Sequence, residues 1–231
     1  MNKKKNILTA AIFLIAIPAV IFSGVVFFRE KSYAWLSLCI AVFSCVPLFY
    51  CFERKESSAK EITVLAVMIA ISVAGRFVFA WLPGFKPVTA ITIIAGIALG
   101  AESGFMVGSL TAIVSNIFFG QGPWTPFQMF VWGIIGFLSG LFFYKKQTSN
   151  RFILAVIGLV GGIAYSLLMD IWTTVSMEGT FNVSRYLFYI SSSFPFMAIY
   201  AVSNVVFLFV LAKPFLEKLN RIKTKYGIFQ K

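Results

Sequence analysis

Apolar positions along this chain come in long, unbroken runs. They show neither the alternation of a half-buried strand nor the narrow stripe of a soluble amphipathic helix. Eight runs stand out, at residues 7–28, 33–52, 62–81, 88–99, 104–119, 125–144, 152–175 and 186–211. A helix crossing the bilayer core needs roughly 20 apolar residues, so the pattern predicts an all-α integral membrane protein. The fourth run is too short to cross alone, and it is expected to be extended by loop residues or covered by neighbours. Pro18 and Pro195 fall inside runs and predict kinks, which membrane helices tolerate. The first run follows Lys3, Lys4 and Lys5, as a signal peptide would. Its apolar stretch is longer than a signal h-region and no small-residue cleavage site follows, so it reads as a retained helix.

Residues 53–61 are the most polar interior stretch and predict a linker. The organisation that follows is an N-terminal transmembrane pair at 1–53, a cytoplasmic linker at 54–61, a six-helix core at 62–215 and a basic cytoplasmic tail at 216–231. No repeat relates the halves of the core, unlike the inverted repeats of many secondary transporters.

Composition sharpens the exclusions. Of 231 residues, 59% are hydrophobic and only 12% charged, where a soluble domain carries about a quarter. That rules out a water-soluble enzyme, and the absence of histidine rules out chemistry that needs imidazole. The net charge of +12 is not a nucleic-acid signature, because the basic residues cluster between apolar runs. With the N-terminus in the cytoplasm, fifteen Lys and Arg fall on the inside: residues 3–5, 54, 55, 60, 145, 146, 151, 213, 218, 221, 223, 225 and 231. Four fall outside (Arg29, Lys31, Lys86 and Arg185), and Arg76 lies within a span. This asymmetry predicts a multi-pass protein of a prokaryotic cell membrane with both termini cytoplasmic. Cys39, Cys45 and Cys51 have no CxxC spacing and read as small buried hydrophobes rather than metal ligands.

Ala66, Ala70 and Ala74 recur every four residues and form one smooth column along the third run. In lipid, helices associate where small residues let backbones approach, so the column is either a docking surface or ordinary packing inside the subunit. Gly96, Gly100, Gly104 and Gly108, with Gly136 and Gly140, are assigned to internal packing. Polar groups of the core collect at its predicted outer half: Arg76, Asn116, the Gly120-Gln-Gly-Pro-Trp-Thr-Pro loop, Asp170 and Arg185. Charges inside apolar runs cost several kcal/mol unless paired or wetted. Arg76 and Asp170 therefore either pair with each other or line a water-accessible cavity. In the second case Trp124, Phe127, Trp132 and Trp172 supply apolar walls, with Asn116, Gln121 and Gln128 as orienting groups. No Walker A sequence and no paired intramembrane carboxylates occur, so the chain cannot power transport itself and carries no catalytic or metal site.

The alanine column on the first core helix, the six core helices and an outward polar pocket resemble the S component of an energy-coupling factor (ECF) vitamin transporter. The stretches Gly84-Phe-Lys-Pro-Val-Thr-Ala-Ile-Thr-Ile-Ile-Ala-Gly96 and Asn116-Ile-Phe-Phe-Gly-Gln-Gly-Pro-Trp-Thr-Pro-Phe-Gln128 are similar to one branch of that family, the one associated with cobalamin. The likeness covers about residues 60–215, and the first two helices fall outside the common six-helix plan. The resemblance implies high-affinity capture of a vitamin from outside, cobalamin or a related corrinoid being favoured. It further implies docking on a transmembrane coupling subunit (EcfT) that carries two ATPases, and toppling in the membrane. It carries docking onto Ala66, Ala70 and Ala74. Ligand contact falls to Arg76, Phe85, Lys86, Thr89, Asn116, Gln121, Trp124, Gln128, Asp170, Trp172 and Arg185. No cofactor is implied. The alternatives are an S component for another vitamin or precursor, a membrane scaffold or assembly protein, and an integral-membrane enzyme acting on lipid-like substrates.

Overall fold

A computed structural model describes residues 58–148, 150–179 and 181–229. The predicted spans at 7–28 and 33–52, with the three cysteines, lie outside the described residues. Within them the chain forms six α-helices and no strands: α1 Ala59–Val78, α2 Val88–Leu99, α3 Ala101–Phe119, α4 Thr125–Phe143, α5 Arg151–Glu178 and α6 Val183–Tyr226. All but α2 are long and apolar enough to cross a membrane.

Local chemistry explains the boundaries. Ser58, Asn150 and Asn182 cap α1, α5 and α6 by accepting from backbone N–H groups of their first turns, the usual role of short polar side chains at a helix start. Pro87 precedes α2, and Gly100 follows it with φ +106°. That left-handed conformation costs glycine nothing, and it lets α3 begin at the very next residue.

The short helix α2 is the centre of the bundle. Its 12 residues are buried throughout although they span only ~18 Å at 1.5 Å per residue. It packs against α3, α4 and α6, with α1 and α5 closing the remaining sides. Covering by neighbours, rather than extension by loops, is what makes a sub-length apolar helix possible here. The approach of α2, α3 and α4 is a backbone contact. A Cβ on Gly96 would sit 2.2 Å from the Gly136 carbonyl oxygen, and one on Gly104 would sit 2.4 Å from the same atom. Small residues thus do on the inside what lipid cannot drive, bringing main chains together.

In α1 the buried residues are Glu61, Leu65, Met68, Ser72, Val73 and Arg76; apart from the adjacent Ser72 and Val73 they recur every three or four residues, as one side of a helix must. Ala66, Ala70 and Ala74 lie off that face and are exposed.

Helix α6 differs most from expectation. The apolar run ends near residue 211, but the helix continues unbroken through Pro195 and Pro214 to Tyr226. Beyond the run, Leu216 and Leu219 remain buried while Lys213, Lys218, Arg221 and Lys225 are exposed. Mean hydropathy drops there because the helix becomes amphipathic, not because it stops. At ~66 Å, α6 is about twice as long as the bilayer core is thick, so its basic end projects beyond it. Residues 216–226, expected as a tail, are thus a continuation of α6. The chain then turns back under the bundle: the Phe229 N–H donates to Glu61 Oε1 (2.7 Å), and the Phe229 carbonyl accepts from the Tyr144 hydroxyl (2.8 Å).

Candidate ligand site

The polar groups of the helix interiors meet at the end of the bundle formed by the α1–α2 and α3–α4 connections. Arg76, in the last turn of α1, is only 8% exposed. Its Nη1 donates to the Ser115 hydroxyl and to Asn116 Oδ1 (2.7 Å). Ser115 can accept because its own proton goes to the Thr111 carbonyl (2.6 Å).

This contact sets the polarity of a chain of hydrogen bonds. Guanidinium only donates, so Asn116 must turn its oxygen to Arg76 and its amide nitrogen away. That nitrogen donates to Thr125 Oγ1 (2.9 Å) and to Gln128 Oε1 (2.8 Å). Gln128 is thereby left with its Nε2, which donates to the Tyr165 hydroxyl (3.2 Å). Thr125 passes its proton to Gln121 Oε1 (3.0 Å), and Gln121 Nε2 ties to the Ile113 carbonyl (2.8 Å). One arginine therefore orients side chains on α3, α4 and α5; one branch closes on the Ile113 carbonyl and the other runs through Gln128 to the Tyr165 hydroxyl.

The second branch borders a cavity of about 70 Å³ lined from α1 and the α1–α2 loop by Arg76 and Lys86, from α2 by Val88 and Thr89, and from α4 by Gln128 and Trp132. Tyr165 of α5 and Tyr200 of α6 complete the wall. The aromatic groups form a continuous set. Trp132 stacks on Tyr165 at 5.5 Å with 13° between planes, and Tyr165 meets Tyr200 edge-on at 4.9 Å. The Arg76 guanidinium lies 4.5 Å from the centre of the Phe119 ring and 5.3 Å from that of Trp132, within cation–π range. Lys86 Nζ stands 5.3 Å from the Phe119 ring. Burial holds the Lys86 ammonium below the usual lysine range, and the positive charge of Arg76 pushes it the same way. Its loop is fastened to α6 where the Ser203 hydroxyl donates to the Lys86 carbonyl (3.1 Å).

Of the residues singled out from the sequence, Arg76, Lys86, Thr89 and Gln128 line this cavity, and Asn116 and Gln121 stand behind them in the network. The others lie elsewhere. Phe85 packs on Phe207 (5.1 Å) and Trp172 on Phe127 (5.1 Å). Trp124 is exposed, and Arg185 pairs with Glu178 at 3.4 Å. Asp170 does not pair with Arg76. It accepts from the Ser193 hydroxyl across the α5–α6 contact (2.6 Å). Of the four expected aromatic walls only Trp132 lines the cavity. Tyr165 and Tyr200 were missed; the available signal was a hydroxyl-bearing ring inside otherwise apolar runs.

A second, almost wholly apolar groove of about 690 Å³ runs between α1 and the far end of α6. Val64, Val67 and Ile71 line it from α1, beside the exposed alanine column, and Phe215, Leu219 and Ile222 from α6.

The family described as "ECF-type riboflavin transporter, S component" matches residues 56–221 of this chain. Among curated proteins, the chain is 29% identical over 130 residues to a UPF0397 protein of Aliivibrio salmonicida (strain LFI1238), covering 49% of this chain and 70% of the relative. A UPF0397 protein of Aliivibrio fischeri (strain MJ11) matches to the same extent. One of Vibrio atlanticus (strain LGP32) is 29% identical over 132 residues, covering 49% and 71%. No solved structure matches. The matched family is the riboflavin-type one, so the resemblance to the cobalamin branch is not supported.

Proposed function

This chain belongs to the S-component family of ECF-type riboflavin transporters, and from that premise we propose how its two special surfaces divide the work. It is a multi-pass membrane protein that partners a coupling membrane subunit and ATPase subunits for uptake of a vitamin-class ligand. In our reading the ligand enters from the extracellular side, where the Arg76 end of the bundle lies, and sits against Arg76, Lys86, Thr89, Gln128, Trp132, Tyr165 and Tyr200. The basic end of α6 then faces the cytoplasm, in keeping with the positive-inside count. ATP is hydrolysed by the partner subunits and not by this chain.

The observation that carries the docking half of this reading is the exposure of Ala66, Ala70 and Ala74. Among the described residues nothing packs over the methyl column, whereas glycine contacts of the same spacing are consumed in α2, α3 and α4. A flat apolar strip bordered by a groove suits a helix of a membrane partner, because close backbone approach is the main source of helix association in lipid. Arg76 reaches the cavity from the buried face of α1 while the strip lies off that face, so binding and docking need not compete. An apolar outer surface would also permit the subunit to reorient in the bilayer without exposing charge to hydrocarbon.

Capture of the tagged full chain after co-expression with the coupling subunit and ATPases tests this reading. The expected outcome is a stable assembly of all partners, with the small molecule it retains recovered chemically unchanged. A chain that captures none of them would support a scaffold instead, and a chemically altered ligand would support an enzyme.

A further inference from the structure

We propose that the ligand of the Arg76 cavity carries an anionic group, a carboxylate or phosphate, seated between Arg76 and Lys86. This rests on the reading of that cavity as the transport site and goes beyond it by naming the chemistry of the cargo, which neither riboflavin nor a neutral vitamin supplies.

Two cations line one small cavity. Among the described residues, no carboxylate lies within ion-pair distance of either. Arg76 is held by a hydroxyl and a neutral amide, and Asp170, the partner expected from the sequence, is engaged by Ser193. A buried cation without a counter-charge is costly, and buried charges are normally paired. Lys86, half-buried in the α1–α2 loop, is a second cation at the same cavity, and each raises the cost of the other. An anion between them removes both penalties at once.

The neutral lining points the same way. The Trp132 indole N–H is buried, its residue 5% exposed, and has no hydrogen-bond partner. Indole nitrogen only donates, so Trp132, which lines the cavity, adds one more donor and no acceptor to this region. Gln128 has spent its oxygen on Asn116 and offers Nε2, while Tyr165 accepts from that nitrogen and keeps its own proton to give. The lining is therefore rich in donors and poor in acceptors. A ligand that is mostly donor, or cationic, would leave these groups unsatisfied. Charge-assisted hydrogen bonds from Arg to carboxylate or phosphate are roughly twice as strong as neutral ones. The stacked Trp132 and Tyr165 rings add a flat apolar wall suited to the ring of a compact heteroaromatic acid.

The test uses the purified full chain in nanodiscs and probes that differ only in charge: nicotinate against nicotinamide, FMN against riboflavin, with inorganic phosphate as a bare anion. Binding to the native state raises the melting temperature. At millimolar probe concentration, at least one anionic member is expected to raise it. Its neutral twin is expected to bind at least tenfold more weakly in equilibrium dialysis. Lys86→Gln, which leaves the Lys86 carbonyl free to keep its bond from Ser203, should abolish that preference, and Arg76→Gln should do the same. The proposal is overturned by a neutral twin that binds as tightly, by a preference that survives Lys86→Gln, or by no response to any of the three anions. If the same preparation still assembles with the coupling subunit and ATPases, any of these results rejects the anion and leaves the transport reading standing. Failure of assembly rejects the transport reading itself.

Discussion

Lys223 and Arg76 are both cations brought against the apolar bundle, at opposite ends and with different outcomes. Lys223 Nζ donates to the Ala98 carbonyl (2.7 Å) in the last turn of α2 and lies 4.6 Å from the centre of the Tyr144 ring. A helix C-terminus is rich in carbonyls that lack intrahelical partners, and its dipole favours positive charge. The cation is used up by structure. Gln147 does the same beside it, donating to the Ile97 carbonyl (2.7 Å). At the other end Arg76 meets α3 side chains rather than a backbone terminus, and Lys86 joins it at the same cavity with no carbonyl to cap. The first end closes the bundle beneath α2. The second holds donors in place without satisfying them, which is what a binding site requires.

The contrast can be broken by substitution, and the largest effect lies between the two ends. Gly104→Leu forces a side chain into the Gly136 backbone, so α3 and α4 cannot meet. The expected outcome is loss of monodisperse protein in size-exclusion chromatography. Next, Arg76→Gln keeps a donor for Asn116 but removes the charge. The expected loss of ligand affinity is about 100-fold, or ~3 kcal/mol at 1.4 kcal/mol per tenfold, by equilibrium dialysis with the co-purified ligand and with folded yield retained. Lys223→Met removes a structural cation of comparable placement. Hydrogen bonds to charged groups contribute roughly 1.5–3 kcal/mol when well shielded, and this one is partly open to solvent, so ~1 kcal/mol is expected. That corresponds to a fall of about 2–4 °C in melting temperature for a chain of this size, with ligand affinity unchanged. Asp170→Asn is the smallest: its amide oxygen still accepts from Ser193, and affinity should change less than about twofold while stability shifts within ~0.5 kcal/mol.

How far the sequence foretold this arrangement depends on the kind of signal. Val88–Leu99 was found to the residue because Pro87 and Gly100 punctuate an uninterrupted apolar run. The extent of α6 was missed because a hydropathy window cannot tell a helix leaving the membrane from a helix ending. Arg76 was legible as a charge where none should be, and Asn116 and Gln128 as polar groups near the same end. Asp170 carried the same signal with a different meaning, since its partner Ser193 comes from the next helix. Pairing across helices has no periodicity to betray it. The signal of Tyr165 and Tyr200, a hydroxyl on a ring, was faint for the opposite reason: in a chain with 27 Phe and 8 Tyr, an aromatic ring in a span is the background.

The central claim is that capture and coupling occupy separate surfaces, and Ala70→Trp tests it most directly. With the full chain co-expressed beside the coupling subunit and ATPases, the pull-down of this variant should contain no partner subunits while the retained ligand stays at the wild-type amount. Retention of the partners, or loss of the ligand along with them, would contradict the account.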